Sequence, residues 1–224
     1  MAASALSVVL KRVYLAVYNW TVFTGWSLAL YLALKTLKET GYGHVYKSVE
    51  KPLQLAQSAA VLEILHSLVG LVRSPITATL PQILGRLYIT WGILWSFPGQ
   101  TQTHILVSTL VFSWSITEVV RYSFFGTKEA LGFAPSWLLW LRYSTFFLLH
   151  PIGVTSEIGL IYIALPDIKE SEKYSIKMPN KWNFSFYFFY AAIFTIGIFS
   201  IGSFFMFQHL CRQRNKALSK PKIV

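Results

Sequence analysis

Six apolar stretches, each about as long as a bilayer is thick, divide the chain and leave it few ways to fold. They cover residues 13–34, 53–72, 80–97, 104–125, 137–165 and 184–210. A helix needs roughly 20 apolar residues to cross the hydrocarbon core, and in lipid every backbone N–H and C=O must bond within its own segment. The sequence therefore predicts an all-α polytopic membrane protein: six transmembrane helices around a polar central cavity, in one membrane domain over residues 1–224. With 54% of residues apolar and 13% charged, the chain has more apolar surface than one soluble core of this size can hide. No room remains for a large soluble catalytic domain. Cys211 is the only cysteine, so no disulfide forms within the chain. Lys11 and Arg12 precede the first stretch, which is too long for the apolar part of a cleaved signal and is read as a span.

Turn signals set the connections. Residues 35–52, with Gly41 and Gly43, read as a loop, as do 126–135 and 166–182. Arg73-Ser74-Pro75 closes the second span, because proline disfavours helix at the residue before it. Pro81 suits a first helical turn, Pro98-Gly99 marks a turn, and Pro151 with Gly153 predicts a kink or break in the fifth span. Net charge is +11. That excess sits mostly in loops and at the C-terminal end, which fits water and anionic headgroups; no nucleic-acid motif is visible. Lys and Arg divide almost evenly between the two sides. The basic segment from Arg212 onward, 211–224, favours a cytoplasmic C-terminus, and six spans bring the N-terminus to the same side. Lys220 and Lys222, five and three places from the end, resemble a dilysine return signal of the endoplasmic reticulum.

Charges inside the spans carry the functional information. Glu63, Arg86, Glu118, Arg121, Arg142 and Glu157 all fall within apolar stretches. Each costs a few kcal/mol at the bilayer centre, so they are expected to face inward and pair. Glu118 and Arg121, three apart, share a helix face. Taken singly, such charges read as structural ion pairs; six together point to a polar cavity. Glu63 and His66 lie side by side on a helix, but two ligands without a third make a poor metal site. The string from His66 to Arg73 resembles a tyrosine-phosphatase loop with Ser67 in place of the nucleophilic cysteine. Serine lacks the reactive thiolate, and the segment reads as helix, so phosphatase chemistry is excluded.

Three segments carry a family resemblance. One runs Gln57-Ser58-Ala59-Ala60-Val61-Leu62-Glu63-Ile64-Leu65-His66 and on to Gly70 and Arg73-Ser74-Pro75. The second is Trp114-Ser115-Ile116-Thr117-Glu118-Val119-Val120-Arg121-Tyr122. The third is Leu141-Arg142-Tyr143 through Pro151, Gly153 and Glu157. Together they resemble the very-long-chain 3-hydroxyacyl-CoA dehydratases, also called protein-tyrosine-phosphatase-like A proteins. The wording of the loops, including 38–42 and 130–137, is most similar to plant members. The resemblance covers nearly the whole chain. It implies six helices in the endoplasmic reticulum membrane with both termini cytoplasmic. It also implies the third step of fatty-acid elongation, removal of water from a (3R)-3-hydroxyacyl-CoA to give a trans-2-enoyl-CoA.

The resemblance further implies a catalytic pair in a Leu-Tyr-Pro-x-Gly-x-x-x-Glu pattern. Here the pattern reads Leu149-His150-Pro151-Ile152-Gly153-Val154-Thr155-Ser156-Glu157, so Glu157 matches and His150 stands in the tyrosine's place. Seven residues are two helical turns, which keeps the pair on one face of an unbroken helix. Glu157 is the candidate base and His150 the candidate acid, and the reverse assignment is open. So is substitution by Tyr143, and so is a protein that binds acyl-CoA or serves as a scaffold in the elongase without turnover. Arg86, Arg121 and Arg142 are candidates to orient the thioester or hold Glu118 and Glu157. The resemblance implies the condensing enzyme and the two reductases (ketoacyl and enoyl) of elongation as partners. No cofactor motif is visible, and elimination of water requires none. A transporter is disfavoured, because the first three spans do not repeat in the last three.

Overall fold

The computed structural model describes residues 2–72 and 76–219. Arg73-Ser74-Pro75 and the Lys220/Lys222 tail lie outside the described residues. The described chain is helical: α1 Ala2–Glu39, α2 Val45–Ala59, α3 Val61–Leu68, α4 Ile76–Leu87, a π-helix Tyr88–Trp95, α5 Gly99–Thr103, α6 Ile105–Leu131, α7 Ser136–Ser144, α8 Phe146–Ser171 and α9 Phe188–Leu218. Three segments are long and apolar enough to cross a membrane by length and composition: Ile105–Leu131, Ser136–Ser171 and Phe188–Leu218. The other three predicted stretches are helical but less uniform. Residues 13–34 lie inside α1, whose Asn19, Thr21 and Thr24 dilute its apolar character. Residues 53–72 are divided at Ala60 between α2 and α3, and residues 80–97 between α4 and the π-helix.

Several expected loops are helix instead. Residues 35–52 hold the end of α1 and the start of α2, because Val45, Tyr46, Val49, Leu53 and Ala56 form a buried stripe at helical spacing while Lys47 and Lys51 face outward. The chain turns at Gly41, whose φ of 88° is open to glycine. Helix α6 continues through 126–131 and stops at Gly132, which adopts the left-handed conformation and donates its N–H to the Lys128 carbonyl at 2.9 Å. Helix α8 continues past Pro166 to Ser171, where Ile168 is still buried. The fifth span does not break at Pro151. Its interruption is the turn residue Thr145, whose hydroxyl donates to the Leu141 carbonyl at 3.0 Å. Pro81 lies inside α4 and not in its first turn.

Helix α6 is the central element. His104 caps its start by accepting from the Leu106 N–H at 3.2 Å. Helix α1 packs along one flank of α6 and α8 along another; α2 lies against α1, and α9 against α8 and α7. A Cβ at Gly126 would fall 2.9 Å from Trp20 Nε1, so only glycine lets α1 and α6 approach this closely. Fully buried Trp26, Tyr46, Leu53, Ile93, Leu110 and Ile161 fill the space between these helices. Helix α9 is largely bare, with Tyr190, Phe194, Ile201 and Phe205 exposed. Exposed apolar side chains in such a continuous band suit lipid, not water.

Candidate active site

Four of the six predicted intramembrane charges form one network. The Arg121 guanidinium donates to both carboxylate oxygens of Glu63, at 2.9 and 2.8 Å, and through Nε to Glu118 at 2.7 Å. Glu118 also pairs with Arg86, and the Tyr122 hydroxyl donates to Glu63. The network ties α3, α4 and α6 together. Two carboxylates and two guanidiniums balance, and the bidentate geometry satisfies most of their lone pairs and protons. Glu118 is only 2% exposed. The i,i+3 pairing of Glu118 with Arg121 is as the sequence predicts. Such a saturated set holds helices in place; its carboxylates are committed.

Glu157 is treated differently. Its only hydrogen bond among the described residues comes from Trp114 Nε1 on α6, at 2.9 Å, and it makes no salt bridge there. The Arg86 guanidinium lies over the Trp114 ring at 5.3 Å, so the charged network touches Glu157 through an indole and not by direct pairing. One carboxylate oxygen is left for a ligand. Beside it, Ser156 meets Thr109 hydroxyl-to-hydroxyl at 2.8 Å, which fixes α8 against α6 one residue before Glu157.

The remaining predicted residues are dispersed. His150 is half-buried and turned to α9: its Nε2 lies 3.3 Å from the Ser203 carbonyl, and its ring stacks on Phe207 at 6.0 Å. A carbonyl only accepts, so Nε2 carries the proton and the neutral ring presents Nδ1 as an acceptor. Arg142 makes no salt bridge among the described residues. Its guanidinium lies over Phe125 at 4.2 Å, Phe124 at 4.9 Å and Tyr143 at 5.6 Å. Tyr143 is thus in contact with Arg142. His66 turns from Glu63 to α1, bonding the Tyr14 hydroxyl at 2.8 Å and meeting the Tyr18 ring edge-on. The phosphatase-like string forms no phosphate cradle in its described part: the N–H groups of Val69, Gly70, Leu71 and Val72 are all bonded to carbonyls of residues 65–67.

Sequence reasoning passed over Trp114 and Tyr122. Both lie inside the second signature segment, and Trp114 precedes Glu118 by one turn, which was the available signal. Tyr14 and Tyr18 sit one turn apart in α1 and gave no signal of their own.

Comparison with known proteins bears directly on this arrangement. The family described as protein tyrosine phosphatase-like protein, PTPLA, matches residues 57–220, which include every charge of the network and Glu157. The chain belongs to the PTPLA family. Among family relatives, the very-long-chain (3R)-3-hydroxyacyl-CoA dehydratase PASTICCINO 2 of Arabidopsis thaliana is 66% identical over 220 residues, covering 98% of this chain and 99% of the relative. PASTICCINO 2A of Oryza sativa subsp. japonica is 66% identical over 212 residues, covering 95% and 96%. The Homo sapiens very-long-chain (3R)-3-hydroxyacyl-CoA dehydratase 2 is 39% identical over 212 residues, covering 94% and 82%. No solved structure matches the chain.

Proposed function

We propose that this chain is a hydro-lyase that dehydrates very-long-chain (3R)-3-hydroxyacyl-CoA to the trans-2-enoyl-CoA, the third step of fatty-acid elongation. Glu157 carries the reading: a carboxylate on a candidate membrane-crossing helix, held by one indole N–H, with an oxygen free and no salt bridge among the described residues. A base of that kind takes the proton from C2, next to the thioester, as the C3–O bond breaks. The network of Arg86, Glu118, Arg121 and Glu63 positions Trp114 and through it Glu157. His150 lies on the same helix two turns away and is the candidate acid: once protonated at Nδ1, it gives that proton to the departing hydroxyl, which leaves as water. Arg142 and Tyr143 stand beyond it, in the last turn of α7.

The enzyme works as six spans in the endoplasmic reticulum membrane, both termini cytoplasmic, with the acyl chain among apolar helices and the reacting carbons in a polar cavity beside Glu157. The condensing enzyme and the ketoacyl and enoyl reductases of elongation supply its substrate and consume its product. The deciding experiment is turnover of a long-chain (3R)-3-hydroxyacyl-CoA by purified protein. Glu157→Gln is expected to lower kcat by about 10²- to 10⁴-fold, the usual worth of a positioned base. Full activity in that variant would remove Glu157 from the chemistry. A wild type that binds acyl-CoA but never turns over would make the chain a scaffold subunit.

A further inference from the structure

Of the charges within the predicted spans, Glu157 and Arg142 stand outside the balanced network. Glu157 has its part in the chemistry proposed above. Arg142 carries a permanent charge and has no carboxylate within salt-bridge distance among the described residues. A cation held that way inside an apolar span is costly, and such residues mark ligand sites.

Aromatic rings surround its guanidinium. Phe125, Phe124 and Tyr143 lie 4.2, 4.9 and 5.6 Å from it, and its hydrogen-bond partner is the Tyr143 hydroxyl. Rings offset a cation's charge but accept none of the hydrogen bonds in its plane. A guanidinium offers its N–H donors as a rigid fork that matches a phosphate, and one neutral phenol does not fill that fork. Nε has no partner among the described residues, and the residue as a whole is partly exposed, so an anion can reach its outer edge.

The place suits a ligand that comes from the side of the two termini in the six-span reading. Arg142 lies near the start of the apolar stretch 137–165, and Phe124 and Phe125 close the stretch 104–125. Arg214, just beyond the stretch 184–210, lies over the Phe147 ring at 5.4 Å, one helical turn from Tyr143. It too makes no salt bridge among the described residues. Two cations without carboxylates thus meet the α7–α8 junction at one end of the bundle, and their field draws anions there.

Distance selects which anion. Trp114 holds Glu157, and Phe124 and Phe125 hold Arg142; all three rings are on the unbroken helix α6. From Trp114 to that phenylalanine pair the helix rises about 15–17 Å. Along α7 and α8, Arg142 and Glu157 are separated by about 22 Å of helical rise. In an acyl-CoA the thioester sulfur and the first phosphorus are joined by the pantetheine arm, about 13 bonds that advance ~1.2 Å each and reach about 16 Å. With the thioester beside Glu157, the arm ends at Arg142.

We propose that Arg142 binds the diphosphate of the substrate's CoA, one arm's length from the base, an assignment that rests on the dehydratase reading above. The guanidinium donates to the phosphate oxygens, and Arg214 adds positive field at the same end. The pair Arg142 and Glu157 then sets where the thioester stops, so that C2 is delivered to the carboxylate.

The test compares a long-chain (3R)-3-hydroxyacyl-CoA with the pantetheine thioester of the same acid, which keeps the arm and lacks the diphosphate. The readout is the ratio of kcat/KM for the two substrates. In Arg142→Gln that ratio is expected to fall about tenfold, the usual worth of a hydrogen bond to a charged group, mainly through KM for the CoA thioester. In Glu157→Gln both substrates lose turnover and the ratio stays as in wild type. Arg142→Lys keeps the charge without the fork; it is expected to lower the ratio less, and it serves where the glutamine variant does not fold. A ratio within threefold of wild type in both Arg142 variants overturns the assignment and leaves Glu157 in place. So does a loss of bound phospholipid from Arg142→Gln with the ratio unchanged, which would make the ligand a lipid headgroup. Calorimetry with CoA alone needs no turnover: binding that Arg142→Gln weakens about tenfold supports the site even if the wild type dehydrates neither substrate, and binding that it leaves unchanged overturns it.

Discussion

Glu118 and Glu157 stand on facing helices and are surrounded in opposite ways. Glu118 has two guanidiniums and is fully committed; Glu157 has one indole N–H. Both were legible in the sequence as intramembrane acids, but nothing in their spacing separated structural from reactive, because partner choice depends on residues far away in the chain. The difference predicts different losses. Arg121→Ala strands the half-buried Glu63 carboxylate and leaves the buried Glu118 with Arg86 alone, and should cost about 3 kcal/mol, read as a lowered unfolding temperature in detergent. Trp114→Phe keeps the ring but removes the donor to Glu157. It should leave stability nearly unchanged and lower kcat by about tenfold, equivalent to ~1.4 kcal/mol; a melting point that falls with no change in kcat would make Trp114 purely structural.

Helix by helix, the long apolar elements were readable and the connections were not. The amphipathic start of α2 looked like a loop because its exposed face is charged. Only the buried face of Val45, Val49 and Leu53 shows why it is helical, and that face exists only against α1 and α6. Proline was misleading in the same way. Pro151 and Pro166 remain inside α8, where the freed carbonyls of the preceding turn are tolerated within a packed helix. The approach of α1 to α6 gives a direct check at this scale. Gly126→Ala places a methyl against Trp20 and should destabilise by about 1–3 kcal/mol, and Trp20→Phe in that background should recover part of the loss. Thermal unfolding of the single and double variants measures it.

Over the whole molecule, α6 is flanked by α1 and α8, and α9 lies outermost with little of its surface covered. Six spans predict that residues after α9 lie on one side of the membrane and the segment between α8 and α9 on the other. Cys211→Ser gives a cysteine-free chain. In that background Lys216→Cys should react with an impermeant thiol reagent on sealed microsomes, and Lys181→Cys only after the membrane is permeabilised. Equal labelling of both before permeabilisation would contradict the six-span arrangement.

The sequence by itself determined that this chain belongs in a membrane, which of its residues are costly there, and which family it resembles, because hydropathy and local motifs are properties of short segments. Tertiary structure alone decided the rest. It paired Glu63 with Arg121 across 58 residues, turned His150 to Ser203 and His66 to Tyr14, and set Trp114 against Glu157 and Tyr88 against α9. Those choices follow from how helices pack against one another. A side chain's chemistry in lipid is set by whatever the neighbouring helix brings within about 3 Å of it, the length of a hydrogen bond.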